Sequence, residues 1–400
     1  MPRRFSPFAI YLTGLGSWFV PLGIQQVLFA WLAAIVLHMD AFAVGIAQMA
    51  LMAPGILFLP LGGMVADRGD ARRLLLRYHF LYAVPPLVLA GVLAMGGLSY
   101  PLLIAYGLAA GSIGAFAVPT RDTLLPAVAG GNLPRAVALA TALQFIGQLI
   151  GIAVASEADR IGALPLLIAQ AVLVLLGAIA VWRLPQPPPH APVVHPSFWR
   201  SIGDGIAEAA RSEQMWPVLL INLGIGVFYV GPFMAVLPLV VRDVYHGGAA
   251  EIAYINLAFW AGTIVAAFAF AGFARRFSLR GRMVVTAVSV GSLILLCMAL
   301  QPPFLAFNAL CFVWGLGAGI TLTQGRTILQ IVAPPTHRAR LMSLFQLGIG
   351  GGGPIGAFIA GSLAAVLGLK LAMVLPAIAM AVLIGAVLMF SRIWSMRTVE

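Results

Sequence analysis

The stretch GGMVADRGDARRLLL, residues 62–76, places five charged side chains between two long apolar segments. The charged residues are Asp67, Arg68, Asp70, Arg72 and Arg73. Residues 41–66, which precede them, contain no charged side chain. This pattern indicates a short aqueous connection between two helices that lie in an apolar medium.

The composition of the whole chain points to lipid as that medium. Apolar residues make up 62% of the 400 residues and charged residues 9%, whereas a soluble domain has about 45–50% apolar and about 25% charged residues. The chain has too few polar side chains to cover a surface that faces water. We therefore predict an integral membrane protein.

Twelve apolar segments are long enough to cross the bilayer as helices, which takes about 20 residues each. We number them as spans 1 to 12, and they lie near residues 9–37, 42–65, 75–97, 101–121, 136–157, 163–182, 217–241, 252–273, 283–300, 303–326, 341–367 and 371–391. Strands of a β-barrel would be shorter and alternate in polarity, so the sequence predicts an all-α fold. Span 1 is too long for a signal peptide and has no cleavage site, so we expect it in the mature protein.

The basic residues are distributed unevenly between the two ends of these spans. If the N-terminus is cytoplasmic, 20 of the 23 Arg and Lys residues fall on the cytoplasmic side, the exceptions being Arg160, Arg242 and Lys370. Short cytoplasmic loops of helical membrane proteins carry such an excess. The net charge of +11 therefore orients the protein, and we do not expect nucleic acid as a partner.

One long polar stretch, residues 183–216, divides the spans into six and six. It begins Pro-rich, which favours an extended conformation, and it continues with the pattern of an amphipathic helix at the membrane surface. We predict an N-terminal six-helix bundle over residues 1–182, a cytoplasmic linker over 183–216, and a C-terminal six-helix bundle over 217–400.

The two halves of the sequence resemble each other. GLGSWFV at 14–20 recurs as GIGVFYV at 224–230. Glycine and arginine positions between 114 and 151 recur 205 residues later, between 319 and 356. Internal repeats of this kind are typical of secondary transporters in which one half of the molecule moves against the other.

The quoted stretches carry a resemblance to a known family. GGMVADRGDARRLLL resembles the loop motif G-x-x-x-D-R-x-G-R-R between helices 2 and 3 of the major facilitator superfamily (MFS), with Asp70 and Ala71 in place of its second Gly and the Arg that follows. AFAVPTRDTLLPAVAGGNLPRAVALATALQ at 115–144 and TILQIVAPPTHRARLMSLFQLGIGGGGPIGAFIAG at 327–361 resemble its branch of drug, macrolide and siderophore exporters (DHA3-like). The resemblance implies two six-helix bundles related by pseudo-twofold symmetry.

The resemblance also implies a role for the charged turn. In the family, an aspartate equivalent to Asp67 meets the N-terminus of span 11, here near Leu341, and Arg72 or Arg73 would pair with Asp122 at the end of span 4. These contacts would close the cytoplasmic side in the outward-open state. The predicted latch residues are Gly63, Asp67, Arg68, Arg72, Arg73 and Asp122; a solvated, positively charged loop is the alternative.

Polar and aromatic side chains within the spans are candidates for the substrate site, because polar groups inside a membrane are costly and usually functional. The resemblance implies that spans 1, 4, 7 and 10 line the cavity, with spans 2, 5, 8 and 11 beside it. The candidates are Trp18, Phe19, Gln25, Gln26, Gln144, Gln148, Asn222, Phe228, Tyr229 and Gln346. Aromatic rings and neutral amides suit an amphiphilic or aromatic solute of low charge, although helix packing is an alternative role for the rings.

Gating and energy coupling have fewer candidates. Arg121 and Arg326 occupy equivalent positions at the inner ends of spans 4 and 10, where they would line the inner gate or reach lipid headgroups. No acidic residue lies in the middle of a span, so Glu157, near the outer end of span 5, is the candidate for proton coupling. A surface pair with Arg160 is its alternative role. We expect His79 to be a packing residue.

The sequence thus predicts a secondary active transporter that exports amphiphilic small molecules by alternating access, with a proton antiport mechanism as one form of coupling. The alternative is an MFS importer, symporter or uniporter of a small metabolite. We do not expect an enzyme, because the sequence has no HExxH motif, no paired-cysteine motif and no group of acidic residues that would converge on one site. A receptor of the same fold is a further alternative, and it would show no solute flux. We expect no cofactor or metal. We expect a monomer in the bacterial inner membrane, with both termini cytoplasmic, whose partners are a small-molecule substrate, protons and lipid.

Overall fold

The computed structural model describes residues 6–185, 198–273, 279–334 and 338–395, and within these ranges the chain forms helices and no strands. The first ten spans are Pro7–Val36, Ala41–Arg68, Ala71–Ala94, Tyr100–Val128, Leu133–Ala155, Ala163–Trp182, Met215–Asp243, Ala249–Phe273, Arg280–Ala299 and Phe304–Val332. A last helix, Arg338–Phe390, is broken at Gly368, whose φ of 82° lies in the left-handed region. The described residues therefore supply twelve membrane helices, which confirms the predicted all-α fold.

Polar side chains cap the N-termini of several helices in the first half of the chain, and Asp70 and Asn132 are two of them. Asp70 accepts a hydrogen bond from the backbone N–H of Arg73 (3.1 Å) in front of span 3. Asn132 accepts one from the backbone N–H of Arg135 (3.1 Å) in front of span 5. Both residues satisfy N–H groups that have no partner inside the helix. One acidic residue of the charged turn therefore has a local structural role.

Spans 4 and 10 end later than the apolar pattern predicts. Span 4 continues to Val128 and span 10 to Val332, although Arg121 and Arg326 mark the predicted ends. Hydropathy shows where the apolar side chains end. The helix itself can continue beyond that point, because its backbone hydrogen bonds do not depend on apolar side chains. Each arginine therefore lies about two turns before the end of its helix.

The chain forms two compact units. The first contains Met1–His38, Ala50–Val194 and Gly247–Ala253, and the second contains Met39–Met49, His195–His246 and Tyr254–Glu400. In the first unit, span 1 packs against spans 5 and 6, and span 3 packs against spans 4 and 6. In the second unit, span 7 packs against the Arg338–Phe390 helix, and span 9 packs against span 10 and that same helix.

Glycines bring packed helices close together in both units. A Cβ atom at Gly151 of span 5 would lie 2.0 Å from the carbonyl oxygen of Val20 in span 1. A Cβ atom at Gly356 of span 11 would lie 2.3 Å from the carbonyl oxygen of Val227 in span 7. Small residues permit this approach between membrane helices. Gly151 and Gly356 are separated by the 205-residue repeat offset, so the same helix contact occurs in each unit.

The linker is described only in part. Residues 186–197 lie outside the described residues, as do Arg3, Arg4, Arg275, Arg276 and Arg397. The helix Phe198–Arg211 follows. Ala209 is buried and Arg211 is exposed, as an amphipathic helix requires, whereas Ile206 is 54% exposed.

Candidate functional site

The second unit contains an apolar cavity of about 240 Å³ between spans 7, 8, 9, 10 and 11. Its walls include five aromatic side chains, Tyr229, Phe233, Phe259, Trp260 and Trp314. Small residues such as Ala287, Gly317 and Ala318 lie between the rings and leave space among them. No lining residue carries a charge. The cavity therefore offers a large aromatic contact surface with room for a ligand.

An irregular turn of span 7 positions Tyr229. Residues Gly226–Val230 form a π-helical turn, a feature that is often found at functional sites. The Tyr229 hydroxyl donates to the carbonyl oxygen of Val288 (2.5 Å) and lies 2.7 Å from Oγ of Ser292. A Cβ atom at Gly291 would lie 2.9 Å from the Tyr229 ring. Span 9 thus holds this ring from both its hydroxyl end and its face.

The aromatic side chains of the cavity also contact one another. The ring centroid of Phe233 lies 4.6 Å from that of Phe259 and 5.7 Å from that of Trp314. Tyr229 meets Trp314 edge to face, with centroids 5.7 Å apart and planes at 79°. These arrangements are the favourable ones for aromatic pairs. The walls are therefore ordered before any ligand enters.

The hydroxyl groups of the lining are already used as donors. Oγ1 of Thr263 lies 2.9 Å from the carbonyl oxygen of Phe259 and 3.1 Å from that of Gly315. Oγ1 of Thr321 donates to the carbonyl oxygen of Gly317 (2.8 Å). A hydroxyl carries one hydrogen, so neither threonine offers a ligand a free donor. A charged ligand group would lose its hydration here without compensation.

The first unit contains a cluster of buried polar side chains. The Tyr82 hydroxyl donates to Oε1 of Gln25 (2.5 Å), and the Tyr82 ring lies 4.6 Å from that of Trp18. The imidazole of His79 packs edge-on against Trp18, with centroids 5.1 Å apart. All four side chains are 3% exposed or less. This cluster therefore combines buried polar groups with aromatic rings, whereas the wall of the cavity in the second unit carries no charged residue.

Arg121 lies beside this cluster and is only 9% exposed. Its guanidinium carbon lies 4.6 Å from the centroid of the Phe19 ring, which is the geometry of a cation–π contact. A chamber of about 340 Å³ adjoins Arg121 and is also lined by Asp122, Thr141 and Gln144. Among the residues that the structure describes, no three His, Cys, Asp or Glu side chains are grouped as a metal site would require.

A comparison with protein families matches residues 8–399 to the transmembrane secretion effector family of the MFS. The chain belongs to the transmembrane secretion effector family. No curated protein sequence matches it significantly.

Solved structures of other transporters share the fold of this transmembrane secretion effector. The nucleoside transporter NupG has a TM-score of 0.77 at 15% identity, over 96% of this chain and 98% of that chain. A bacterial homologue of the human lysosomal transporter Spinster, inward-facing and occupied, has a TM-score of 0.75 at 13% identity, over 99% and 100%. A POT family transporter in complex with 5-aminolevulinic acid has a TM-score of 0.75 at 14% identity, over 96% of each chain. The protein is thus a membrane transporter of the MFS type.

The predicted substrate residues of this secretion effector do not all line one cavity. Tyr229 lines the aromatic cavity, and Gln144 lines the chamber beside Arg121. Phe228 is half-buried and is not among the residues that line the cavity, and Gln346 is exposed.

The remaining predicted amides and rings form contacts within their own unit. Nε2 of Gln148 donates to Oε1 of Gln26 (2.8 Å), and Gln25 binds Tyr82 as described above. The Asn222 side chain donates to the carbonyl oxygen of Phe345. Trp18 and Phe19 are buried in two apolar clusters of the first unit. These contacts join neighbouring helices.

The charged turn has contacts that differ from the predicted ones. The Arg72 guanidinium donates to the carbonyl oxygen of Trp182, and Arg73 pairs with Asp70 at 3.2 Å. Asp122 is exposed and lies next to Arg121, and its pair with Arg72 or Arg73 stays a prediction. In the predicted latch, Gly63 and Asp67 are half-buried and Arg68 is exposed.

Two further predicted positions also differ. Span 5 ends at Ala155, so Glu157 lies beyond the span and not within it. Its carboxylate pairs with Arg160 at 3.0 Å, and the Glu157 and Arg160 side chains are 49% and 82% exposed. Arg326 is exposed, whereas its repeat equivalent Arg121 is buried. The shared sequence position therefore does not give the two arginines the same environment.

Sequence reasoning did not identify several residues of structural importance. Phe259 and Trp314 of the cavity wall were not distinguishable from the many other aromatic residues of the spans. Asp159 was also not identified: its carboxylate accepts from Nε1 of Trp31 (2.8 Å) and from the backbone N–H of Ala249 (2.6 Å) at the start of span 8. No local sequence pattern predicts a cap from a residue 90 positions away.

Proposed function

We propose that this transmembrane secretion effector exports amphiphilic small molecules that carry an uncharged aromatic ring system, by alternating access across the bacterial inner membrane. The observation that carries the proposal is the aromatic cavity of the second unit, lined by Tyr229, Phe233, Phe259, Trp260 and Trp314. The drug, macrolide and siderophore exporters that the sequence resembles move amphiphilic small molecules.

The size of the cavity limits what it can hold. An apolar cavity of about 150 Å³ holds benzene, and sites for drug-sized ligands occupy about 300–1,000 Å³. A volume of about 240 Å³ lies between these values. It therefore fits one small ring system, either as a whole molecule or as the apolar end of a larger amphiphile.

The lining favours this class of solute over a polar metabolite. A polar metabolite has several hydroxyl or amide groups, each of which needs a hydrogen-bond partner when it leaves water. Thr263 and Thr321 have already committed their hydroxyl hydrogens. We propose that a proton gradient drives export, because the sequence contains no phosphate-binding loop for ATP.

Transport by the purified protein tests the proposal. Liposomes with an acidic lumen would be offered a bisbenzimide dye, dihydroxybenzoate and, as a polar comparison, uridine. We expect protons that leave the lumen to drive accumulation of at least one of the first two compounds and not of uridine. Preferential movement of uridine, or flux of no compound at all, would contradict the proposal.

Two substitutions on one helix test the cavity itself. Phe259 lines the cavity, whereas Phe268 of the same span is 62% exposed. Burial of a Phe side chain contributes about 1.5–3 kcal/mol, and 1.4 kcal/mol corresponds to about tenfold in affinity. We expect Phe259→Ala to raise the KM of the transported compound at least tenfold and Phe268→Ala to leave it unchanged. Equal KM values for the two variants would show that the substrate does not use this cavity.

A further inference from the structure

We propose that His79 binds and releases the proton that is coupled to transport. This proposal rests on the proposed function for its role in export, but the binding of a proton can be tested separately. The observation behind it is a buried imidazole that lines a small chamber together with Arg121 and whose Nε2 atom has no hydrogen-bond partner among the described residues.

The hydrogen bond at one ring nitrogen determines the state of the other. Nδ1 of His79 lies 2.8 Å from the carbonyl oxygen of Leu75, one turn earlier in span 3. A carbonyl only accepts, so Nδ1 carries the hydrogen, and in the neutral ring Nε2 presents a lone pair. Nε2 is buried, and among the described residues no hydrogen bond of good geometry reaches it, although the carbonyl of Gly14 lies nearby.

A buried polar atom without a partner is costly and requires an explanation. The side chain of His79 is only 2% exposed, and a packing role would be filled equally well by an apolar side chain. Its neighbours also fix the position of the ring: Trp18 lies against one side, and a Cβ atom at Gly177 would lie 3.0 Å from Cδ2 of His79. The imidazole is therefore held with a basic nitrogen that the resting structure does not use.

The chamber provides a route for the proton. His79 lines a space of about 10 Å³ together with residues that include Tyr11, Trp18 and Arg121. This volume is close to the minimum that one water molecule requires. The chamber of about 340 Å³ described above shares Tyr11, Leu15 and Arg121 with this space. Arg121 and Tyr11 thus lie between His79 and a larger polar chamber, so a small movement of either side chain would connect the two.

The charges around His79 define the direction of the effect. Span 4 contributes Arg121 with the adjacent Asp122, span 1 contributes the neutral hydroxyl of Tyr11, and His79's own helix contributes Tyr82, which is bonded to Gln25. The wall from span 6, at Val181 and Gly177, has no titratable group. The Arg121 cation therefore opposes a second positive charge on His79 in the structure described.

The proton step follows from this arrangement. When Arg121 moves away from His79, Nε2 accepts a proton from hydronium and becomes an N–H group, leaving water behind. When Arg121 returns, its charge favours transfer of that proton from Nε2 back to water. One proton is taken up and one is released in each cycle, and no other reactant is consumed.

Tryptophan fluorescence tests proton binding without any substrate. A protonated imidazole quenches a neighbouring indole more strongly than a neutral one, and Trp18 is in ring contact with His79. In lipid nanodiscs, acidification from about pH 8 to about pH 4 should quench part of the emission. The quenching should disappear in His79→Asn, His79→Gln and Trp18→Phe, and it should persist in His38→Asn, a matched change at an exposed histidine.

Two transport modes test the coupling. With the bisbenzimide dye, His79→Asn and His79→Gln should reduce accumulation driven by a pH gradient at least tenfold, while dye exchange across membranes without a gradient remains within twofold of the wild type. His38→Asn should leave both unchanged. The Asn side chain keeps a hydrogen-bond donor near the position of Nδ1, and the Gln side chain has about the same length as the imidazole. If one variant does not fold, the other still provides the test.

The outcomes separate this proposal from the proposed function. Absence of the Trp18 signal, full gradient-driven accumulation in both variants, or equal loss of accumulation and exchange would each overturn the role of His79. If the wild-type protein moves no dye, the proposed function is contradicted for that dye, while the fluorescence titration still decides whether His79 takes up a proton.

Discussion

The contact between spans 7 and 11 gives a sharp prediction, because two glycines of the same stretch differ completely in their surroundings. A Cβ atom at Gly356 would lie 2.3 Å from the carbonyl oxygen of Val227, whereas a Cβ atom at Gly350 would have no atom within 4 Å. Gly356→Ala therefore inserts a methyl group between two helix backbones. Gly350→Ala adds the same group to open space on the same helix.

The distances give the size of the expected effect. An ordinary contact begins at 3.4 Å, so Gly356→Ala requires the two backbones to separate by about 1 Å at a site where membrane helices depend on close approach. Overpacking of this kind costs about 1–3 kcal/mol. Both variants gain the better helix propensity of alanine, up to about 1 kcal/mol, so this contribution cancels between them. We expect the two variants to differ by the overpacking cost, about 1–3 kcal/mol.

Reversible unfolding in mixed detergent micelles, followed by circular dichroism as the fraction of SDS increases, measures this difference. The midpoint for Gly356→Ala should fall well below that of the wild type, and the midpoint for Gly350→Ala should equal or exceed it. If both variants unfold with the wild-type midpoint, the close contact of spans 7 and 11 does not exist as described, and the glycine-rich stretch needs another explanation.

Two other predictions concern acidic residues at the ends of spans. Asp67→Asn should reduce dye transport sharply while the amount of protein in the membrane stays constant, as measured by flux and immunoblotting; normal flux would refute the proposed latch. Asp159→Ala removes the acceptor for both Nε1 of Trp31 and the N–H of Ala249, so it should cost about 1–3 kcal/mol in the detergent unfolding assay. Glu157→Ala, which breaks an exposed pair, should change stability by no more than about 0.5 kcal/mol; equal losses for the two would contradict the capping role.

The sequence predicts those features of the molecule that depend on one helix at a time. Continuous apolar segments long enough to span the bilayer predict the helices. Small residues at four-residue spacing, such as Gly348, Gly352 and Gly356, are typical of closely packed membrane helices but do not identify the partner helix. Gly368 also lies in the short gap that was predicted between spans 11 and 12. These features follow from backbone hydrogen bonding in lipid and from side-chain size.

Features that depend on the packing of two or more helices could not be predicted from the sequence in this way. The sequence gives no sign of the hydrogen bond from Arg72 to the carbonyl of Trp182, because it depends on the packing of span 6 beside span 3. Glu157 was placed inside span 5 because hydropathy does not define where a helix ends. The cavity needed the positions of five helices. Nine residues turn an α-helix by about two and a half turns, which places Phe259 and Phe268 on opposite faces, but the spacing does not tell which of the two faces the cavity.

The repeat shows how one scaffold acquired two different interiors. Phe19 and Tyr229 occupy equivalent positions of the repeated stretches at 14–20 and 224–230. In the first unit Phe19 supports the buried Arg121 cation, and in the second Tyr229 is bonded to span 9 and forms a wall of an apolar cavity. The equivalent of Arg121 in the second unit, Arg326, is exposed, so no buried cation from that position competes with an apolar ligand. This divergence supports a division in which the first unit handles the proton and the second binds the solute.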